Sequence, residues 1–156
     1  GFSSYQIKEG KNSKLDNSDV QLSDNILENK YYKAVLGNGG IVSLYDKELG
    51  KEVIHTSKFA CGDIVELGYT GNGAGEFTRI QDVTPGDIIP LSSMAANWKV
   101  TENGNVLTRF VNEQPTKHAK IVQTVTFYHN DKKIDFDIVL EDFDGEHNRQ
   151  YRIAFL

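Results

Sequence analysis

A pair of alternating segments around a polar turn limits the folds open to this chain more than any other feature. In "IVQTVTFYHNDKKIDFDIVL", residues 121–140, apolar and polar residues alternate on both sides of Asn130 and Asp131. A reversal there through an even-numbered loop places the apolar residues of both strands on one face. A slip of one residue would bury the aspartates of the second strand, so the alternation fixes the register. The predicted pairs are Phe127–Ile134, Val125–Phe136 and Gln123–Ile138.

Asn103–Gly104 predicts a second hairpin, because Asn-Gly readily adopts the backbone angles of a two-residue turn. This turn would place Val100 opposite Leu107. The same register would place Trp98 opposite Arg109, with the guanidinium on the indole ring. Such a pair is either a stabilising cross-strand stack or a platform for a sugar ring.

The segment "YYKAVLGNGGIVSLYDKELG", residues 31–50, contains two further turn signals. Gly37–Gly40 separates two apolar stretches, and "DKELG" supplies another reversal with Gly50 as its left-handed residue. The expected structure is a three-stranded meander. Its first two strands carry apolar residues on both faces, which predicts a strand pair covered on both sides. The two faces are Leu36 with Ile41, and Val35 with Val42 and Leu44.

Composition and charge exclude several classes of protein. The 156 residues fit one domain, and 38% hydrophobic with 25% charged residues is typical of a globular chain. The net charge of -5, with Lys and Arg scattered, argues against a nucleic-acid partner. No apolar run is long enough to predict a membrane span. Cys61 is the single cysteine, which excludes an internal disulfide and leaves the compartment open between bacterial cytoplasm and periplasm.

The composition and hydrophobic pattern of the sequence change near residue 26. Residues 1–25 are rich in Asn, Ser, Asp and Lys, and they indicate a linker with one short leading strand in "GFSSYQI". Residues 26–156 consist of short apolar runs separated by Gly, Asn and Asp, without a convincing amphipathic helix. The sequence therefore predicts an all-β domain of antiparallel strands over residues 26–156.

Two blocks of sequence resemble glycoside hydrolase family 38, the α-mannosidases. "LENKYYKAVLGNGGIVSLYDKELGKEV" is similar to the start of the family's large β-sandwich domain, and "VTFYHNDKKIDFDIVLEDFDGEHNRQYRIAFL" is similar to its later strands. The middle of the chain, residues 62–96, matches the family poorly. The matching positions of the first block are Leu27, Glu28, Asn29, Tyr31, Tyr32, Gly39, Gly40, Asp46, Lys47, Gly50, Lys51 and Glu52.

The resemblance implies an antiparallel β-sandwich of the supersandwich type, similar to the galactose-mutarotase-like group. It also implies that this chain is a truncated piece of a longer enzyme. In the family, the zinc ligands and the carboxylate nucleophile lie in an N-terminal catalytic domain that is not represented here. The implied partners are the catalytic and helical domains of the same polypeptide, with a mannose-containing glycan as substrate. We therefore expect no catalytic residue, metal or cofactor in this chain, and zinc in the catalytic domain.

The Gly-rich segment "GYTGNGAGEF" lacks the Gly-Lys-Ser/Thr ending of a phosphate-binding loop, so it indicates a surface loop. In a complete enzyme such a loop could approach the sugar site. The candidate substrate-binding residues are Tyr69, Asn72, Glu76, Arg79 and Trp98. His147 and Arg149 are candidate interdomain contacts. The four histidines are dispersed, without the short spacings of a zinc site.

Three functions remain open at this stage. The first is a non-catalytic sandwich domain that supports the catalytic domain of an α-mannosidase-like enzyme. The second is an independent carbohydrate-binding module that uses exposed aromatic residues such as Trp98, Tyr69 or Tyr128. The third is a purely structural or protein-interaction domain. A sandwich fold alone does not separate them, because function belongs to particular sites.

Overall fold

The computed structural model describes residues 20–56, 58–69 and 83–155, together with positions 4 and 6. The described strands form three antiparallel sheets, and the described helical structure is one 3₁₀ turn at Leu91–Ser93. The prediction of an all-β antiparallel fold is confirmed. The first sheet contains, in spatial order, β1 (Gln21–Ser23), β2 (Ile26–Glu28), β3 (Tyr32–Gly37), β4 (Gly40–Asp46) and β5 (Lys51–Glu52).

The other two sheets have strands from distant parts of the chain. The second sheet has the order β11-β10-β9-β8, with β8 at Lys99–Asn103, β9 at Leu107–Pro115, β10 at Lys120–Tyr128 and β11 at Ile134–Glu141. The third sheet has the order β12-β6-β7, with β6 at Asp63–Tyr69, β7 at Val83–Pro90 and β12 at Arg149–Ala154.

The second sheet forms one layer, and the first and third sheets together form the other. A bridge between Ile41 and Cys61 joins the first sheet to the start of β6. Phe110 and Phe127 of the second sheet pack edge to face, with ring centroids 6.0 Å apart. The main core cluster, drawn from both layers, is Leu27, Ala34, Leu36, Ile41, Leu44, Cys61, Trp98, Phe110, Val125 and Phe127. A smaller cluster of Ile64, Leu91 and Ile121 lies under the third sheet.

The register predicted for β10 and β11 is confirmed. Phe127 pairs with Ile134, Val125 with Phe136, and Gln123 with Ile138. Phe127, Val125 and Gln123 are buried, so this face of β10 forms the core side of the second sheet.

The three-stranded meander of β3, β4 and β5 is also confirmed, and its turns use Gly39 at φ 80° and Gly50 at φ 64°. The expectation that both faces are covered is wrong in one respect. A bulge between Val35 and Leu36 shifts the pairing of β3 with β4. As a result, the side chain of Leu44 lies in the core. Val35 and its neighbour Val42 are only half-buried on the other face.

The predicted register of β8 and β9 is wrong. The connection contains three residues, Gly104–Val106, and a bulge between Val100 and Glu102 shifts the pairing. Val100 pairs with Phe110 instead of Leu107. Arg109 lies opposite Glu102, and its Nη1 is 2.9 Å from Glu102 Oε2. The chain reverses between Asn103 and Thr108 instead of at Asn103–Gly104, and this displaces Arg109 from Trp98, so the predicted stack does not form.

The first sheet begins before residue 26, since β1 already pairs with β2 through residues 21–23. The short leading strand predicted in "GFSSYQI" lies outside the described residues, apart from positions 4 and 6.

The buried imidazole of His129 predicts a pH dependence of stability. His129 Nε2 lies 3.1 Å from Thr108 Oγ1, and burial lowers the pKa of the imidazole from its usual 6.5. Below pH 6.5 the unfolded chain therefore binds a proton that the folded chain resists. This contribution to the free energy of unfolding is complete above pH 6.5 and is lost as the pH falls toward the folded pKa.

Urea titrations at several pH values between 5 and 8 measure this effect. His129→Gln is expected to reduce the slope of unfolding free energy against pH below about 6.5. His55→Gln is the matched control, because His55 is exposed and its replacement should leave the slope intact. Equal slopes in the two variants would contradict the assignment.

Candidate functional site

One end of the third sheet brings together residues that are distant in the sequence. Arg149, the first residue of β12, pairs with Gly68 near the end of β6. The next residue of β6, Tyr69, donates its backbone N–H to Asn148 O at 3.1 Å. Tyr69 and Arg149, predicted separately as a substrate contact and an interdomain contact, therefore lie on adjacent strands at the same end of the sheet.

Arg149 belongs to a group of ionisable side chains that we call the polar cluster: Glu66, Asp87, Arg149 and Tyr151. Arg149 Nη1 lies 2.8 Å from Asp87 Oδ1 and 3.7 Å from Glu66 Oε1. Tyr151 of β12 pairs with Glu66 of β6. The cluster is well shielded, since Glu66 is 3% exposed and the Arg149 side chain is 11% exposed.

Burial and charge shape the protonation of the polar cluster. Close contact with the Asp87 carboxylate raises the pKa of the Arg149 guanidinium, and the negative charges of Asp87 and Glu66 add to this. Burial raises the pKa of the Tyr151 phenol, and the nearby charge of Glu66 acts in the same direction. Arg149 therefore stays cationic and Tyr151 stays neutral under physiological conditions.

Glu66 interacts with two other members of the polar cluster, since Arg149 Nη1 lies 3.7 Å from its Oε1 and its charge acts on the Tyr151 phenol. Because Glu66 and Arg149 are almost fully shielded from solvent, the geometry fits a buried ion-pair cluster that fixes the end of the third sheet.

Gly68 permits the close approach of Asp87 to β6. A Cβ at this position would overlap Asp87 Oδ2 and would lie 2.8 Å from Arg149 Nη1. The absence of a side chain at Gly68 therefore leaves the space that the Asp87–Arg149 ion pair occupies.

The other predicted site residues are not gathered in the polar cluster. The prediction that Trp98 binds substrate is wrong. Trp98 is only 8% exposed, packs in the main core cluster and donates Nε1–H to Gly37 O at 2.8 Å. A sugar ring has no access to an indole face buried in this way. His147 is exposed in the turn before β12. Asn72, Glu76 and Arg79 lie outside the described residues.

Two findings concern metals and membranes. No group of three or more His, Cys, Asp or Glu side chains in the described part of the chain is arranged to hold a metal ion. Two buried histidines have other contacts, because His118 Nδ1 lies 2.9 Å from Asp144 Oδ2 and His129 contacts Thr108. Within the described ranges, no helix has the length and apolar character needed to cross a membrane.

Asn29, in the "LEN" of the first block, connects the two blocks that carry the family resemblance. Its Oδ1 accepts hydrogen bonds from the backbone N–H groups of Tyr31 and Tyr32, at 2.9 and 2.8 Å. Its Nδ2 donates to Tyr128 O, in the second block, at 3.2 Å. Tyr31 Oη adds a hydrogen bond to Asn130 O at 3.0 Å.

Asp46, in the "DKELG" turn, makes a second connection between the blocks. Its Oδ1 accepts from the backbone N–H groups of Glu48 and Leu49, at 2.9 and 3.0 Å. Lys132 Nζ of the second block lies 2.7 Å from Asp46 Oδ2 and 2.7 Å from Glu48 Oε2. Hydrogen bonding to Lys132 lowers the pKa of the Asp46 carboxyl, and these two carboxylates raise the pKa of Lys132. We call Asn29, Asp46 and Lys132 with these contacts the block junction.

Sequence reasoning missed Glu66 and Asp87. The signal for Glu66 is a single carboxylate within the otherwise apolar segment "DIVELGY" after Asp63, at a position where alternation with Ile64 points it inward. No comparable signal exists for Asp87, because its partner Arg149 comes from a strand at the other end of the chain.

The fold and the polar cluster define this chain as an all-β antiparallel sandwich with a buried ion-pair cluster at the end of one sheet. No known protein family matches the chain, and no curated protein matches it.

Proposed function

We propose that this chain is a non-catalytic β-sandwich domain of an α-mannosidase-like glycoside hydrolase, which supports the catalytic domain and borders its sugar site. The observation that carries the proposal is the block junction. The two blocks that resemble the family are more than 70 residues apart in the sequence, yet they bind each other directly through Asn29, Asp46 and Lys132.

The block junction supports a scaffolding role because its polar groups are occupied within the fold. Both ends of the Asn29 amide are hydrogen-bonded, and Asp46 combines turn capping with an ion pair. The residues that make the sequence distinctive thus hold one end of the strands of the first sheet against the β10–β11 turn. They are not arranged to contact a sugar.

The proposal places the catalytic chemistry in another domain. A retaining glycosidase needs two carboxyl groups across the scissile bond, one as nucleophile and one as acid. In the polar cluster, Glu66 and Asp87 share Arg149 and Glu66 is buried, which fits an ion-pair role better than catalysis. The described side chains also do not fit a zinc site, so no zinc-dependent step is assigned to this chain.

The end of the third sheet is the surface that the proposal assigns to the neighbouring catalytic domain. It carries the exposed His147 and the half-buried Tyr69, which belongs to the Gly-rich segment "GYTGNGAGEF". The carbohydrate-binding alternative has less support. Trp98 is buried, and the Tyr128 hydroxyl is hydrogen-bonded to Asp135 Oδ2 at 3.0 Å.

Two measurements test the proposal. Calorimetric titration of the folded chain with mannose and mannobiose is expected to show no binding, and incubation with mannobiose is expected to show no hydrolysis. Binding at the exposed aromatic residues would support the carbohydrate-binding module instead, and hydrolysis by this chain alone would contradict a non-catalytic role.

The gene provides a further test. The reading frame is expected to encode, upstream of residue 1, a segment with paired Asp and His zinc ligands. A reading frame without such a segment would overturn the assignment to this class of enzyme.

A further inference from the structure

A pocket of about 330 Å³ lies on the outer face of the third sheet. Val65 and Leu67 of β6 project to this face, on the side opposite the smaller core cluster that contains Ile64. Ile88 of β7 pairs with Leu67, so it projects to the same face. We call this space the β6 pocket, and its lining residues include Lys58, Phe59, Val65, Leu67, Ile88 and Arg152.

The floor of the β6 pocket is apolar. Val65 is 6% exposed and Leu67 is 8% exposed, although both lie on the outer face of the sheet. Ile88 is exposed, and Phe59 is half-buried. The pocket is therefore a concave apolar site, with a volume at the lower end of the range for small-molecule sites. It has room for a small ligand and not for a folded partner.

Two cations border the β6 pocket: Lys58, and Arg152, which pairs with Val65. Acidic residues outnumber basic residues in the chain by 22 to 17, yet no carboxylate is among the described residues that line this pocket. The Lys58 ammonium lies 5.4 Å from the centroid of the Phe59 ring, and Arg152 Nε donates to Gln150 Oε1 at 3.0 Å. Neither cation forms an ion pair within the part of the chain that the structure describes. The complementary ligand group is therefore an anion.

A second pocket, of about 420 Å³, adjoins the β6 pocket and shares Lys58 and Phe59 with it. The second pocket is more polar, since Asn38, Thr56 and Ser92 also line it. Lys58 therefore lies where an apolar space meets a polar one. A ligand with its apolar body in the β6 pocket places its charged head group at this position.

We propose that the β6 pocket binds a small amphiphilic carboxylate of the medium-chain fatty acid type. The acyl chain lies on Val65, Leu67 and Ile88. The carboxylate lies at Lys58, and the charge of Arg152 adds to the attraction. Burial of the chain supplies affinity that rises with each CH₂ group, and the two cations select an anion over a neutral amphiphile. The site goes beyond the proposed function and does not depend on it.

NMR titration of the isotope-labelled chain with octanoate tests the site. The amide resonances of Val65, Leu67 and Ile88 are expected to shift with a Kd on the order of 1 mM, the affinity usual for a ligand of this size. Hexanoate, whose chain is shorter by two CH₂ groups, should bind about tenfold more weakly. Octanol, which has the same chain without the charge, should also bind about tenfold more weakly than octanoate.

Charge substitutions distinguish this site from a general electrostatic attraction. Lys58→Gln and Arg152→Gln are each expected to raise the Kd of octanoate by about threefold or more, because each removes one of the two cations. Lys99→Gln is the matched control, since Lys99 is exposed on β8 in the other layer, and this change should leave the Kd unchanged. Far-ultraviolet circular dichroism reports whether each variant is folded.

Three results would overturn the proposal. The first is the absence of shifts at the residues of the β6 pocket with octanoate at about 10 mM, well above the expected Kd. The second is octanol binding as tightly as octanoate, which would show an apolar site without preference for an anion. The third is a Kd that Lys58→Gln and Arg152→Gln leave unchanged, or that Lys99→Gln raises equally, since the two cations would then not form the site.

Discussion

Replacement of Gln123 by leucine is expected to lower the free energy of unfolding by about 3 kcal/mol or more, because three buried groups lose a partner worth about 1 kcal/mol each. Gln123 Nε2 donates to Gly39 O at 2.9 Å and to Gly62 O at 3.1 Å, and its Oε1 accepts from Asn112 Nδ2 at 3.1 Å. Leucine has a similar volume but neither donor nor acceptor. The substitution would therefore disconnect the two layers at a point where β10 contacts both the first and third sheets.

Urea denaturation followed by circular dichroism measures this loss. Thr124→Val is the matched control, since Thr124 follows Gln123 on β10 but points to the outer face. We expect the control to change stability by less than about 1 kcal/mol, as is usual for positions outside the core. A Gln123→Leu protein as stable as the control would show that these hydrogen bonds do not hold the layers together.

Replacement of Arg149 by methionine is expected to lower the free energy of unfolding by about 3–5 kcal/mol, the usual loss when one partner of a buried ion pair is removed. Glu66 would remain buried without a nearby cation, and Asp87 would lose its contact at 2.8 Å. The double variant Arg149→Met/Glu66→Met removes the buried charge as well. It should recover most of the lost stability, because apolar residues can replace a buried ion pair at little cost.

Arg109→Met provides the comparison for an exposed ion pair. Arg109 Nη1 lies 2.9 Å from Glu102 Oε2, but both side chains are substantially exposed. Its replacement should lower stability by less than about 1 kcal/mol. If Arg149→Met and Arg109→Met have equal effects, or if the double variant is less stable than Arg149→Met alone, the buried-pair interpretation is wrong.

The parts of the fold that were predicted correctly from the sequence are those determined by local pattern. The β10–β11 register follows from alternation over a short loop, where a slip would bury Asp135 and Asp137. The turns at Gly39 and Gly50 follow from the need for positive φ. Each of these features depends on residues that lie close together in the sequence.

The errors arise where a turn is longer than its sequence signal predicts or where one strand gains a residue. The β8–β9 reversal lies between Asn103 and Thr108 instead of at Asn103–Gly104, which displaces the register, and the bulge at Val35–Leu36 places Leu44 in the core. A bulge has no clear signature in a single sequence. Trp98 was misassigned for a different reason. Its hydrogen-bond partner Gly37 comes from a different hairpin, which a local pattern does not reveal.

The candidate site was predicted only in part. Tyr69 and Arg149 were both identified as candidates, but their association depends on the pairing of β6 with β12, which joins distant segments of the chain. The role of Glu66 was not predicted for the same reason. Whether a lone carboxylate in an apolar strand has a cationic neighbour is decided by sheet topology, which a local pattern does not contain.

The contacts of Gln123 also bear on how this domain reaches its native state. They join positions 84 and 61 residues apart in the chain. Contacts of this kind form only after large loops have closed, and chains dominated by them fold in milliseconds to seconds instead of microseconds. During that interval the unpaired outer strands are accessible to other newly made chains. Slow folding of this kind lengthens the time in which a chain can aggregate, so the rate of folding matters for this domain as well as its final stability.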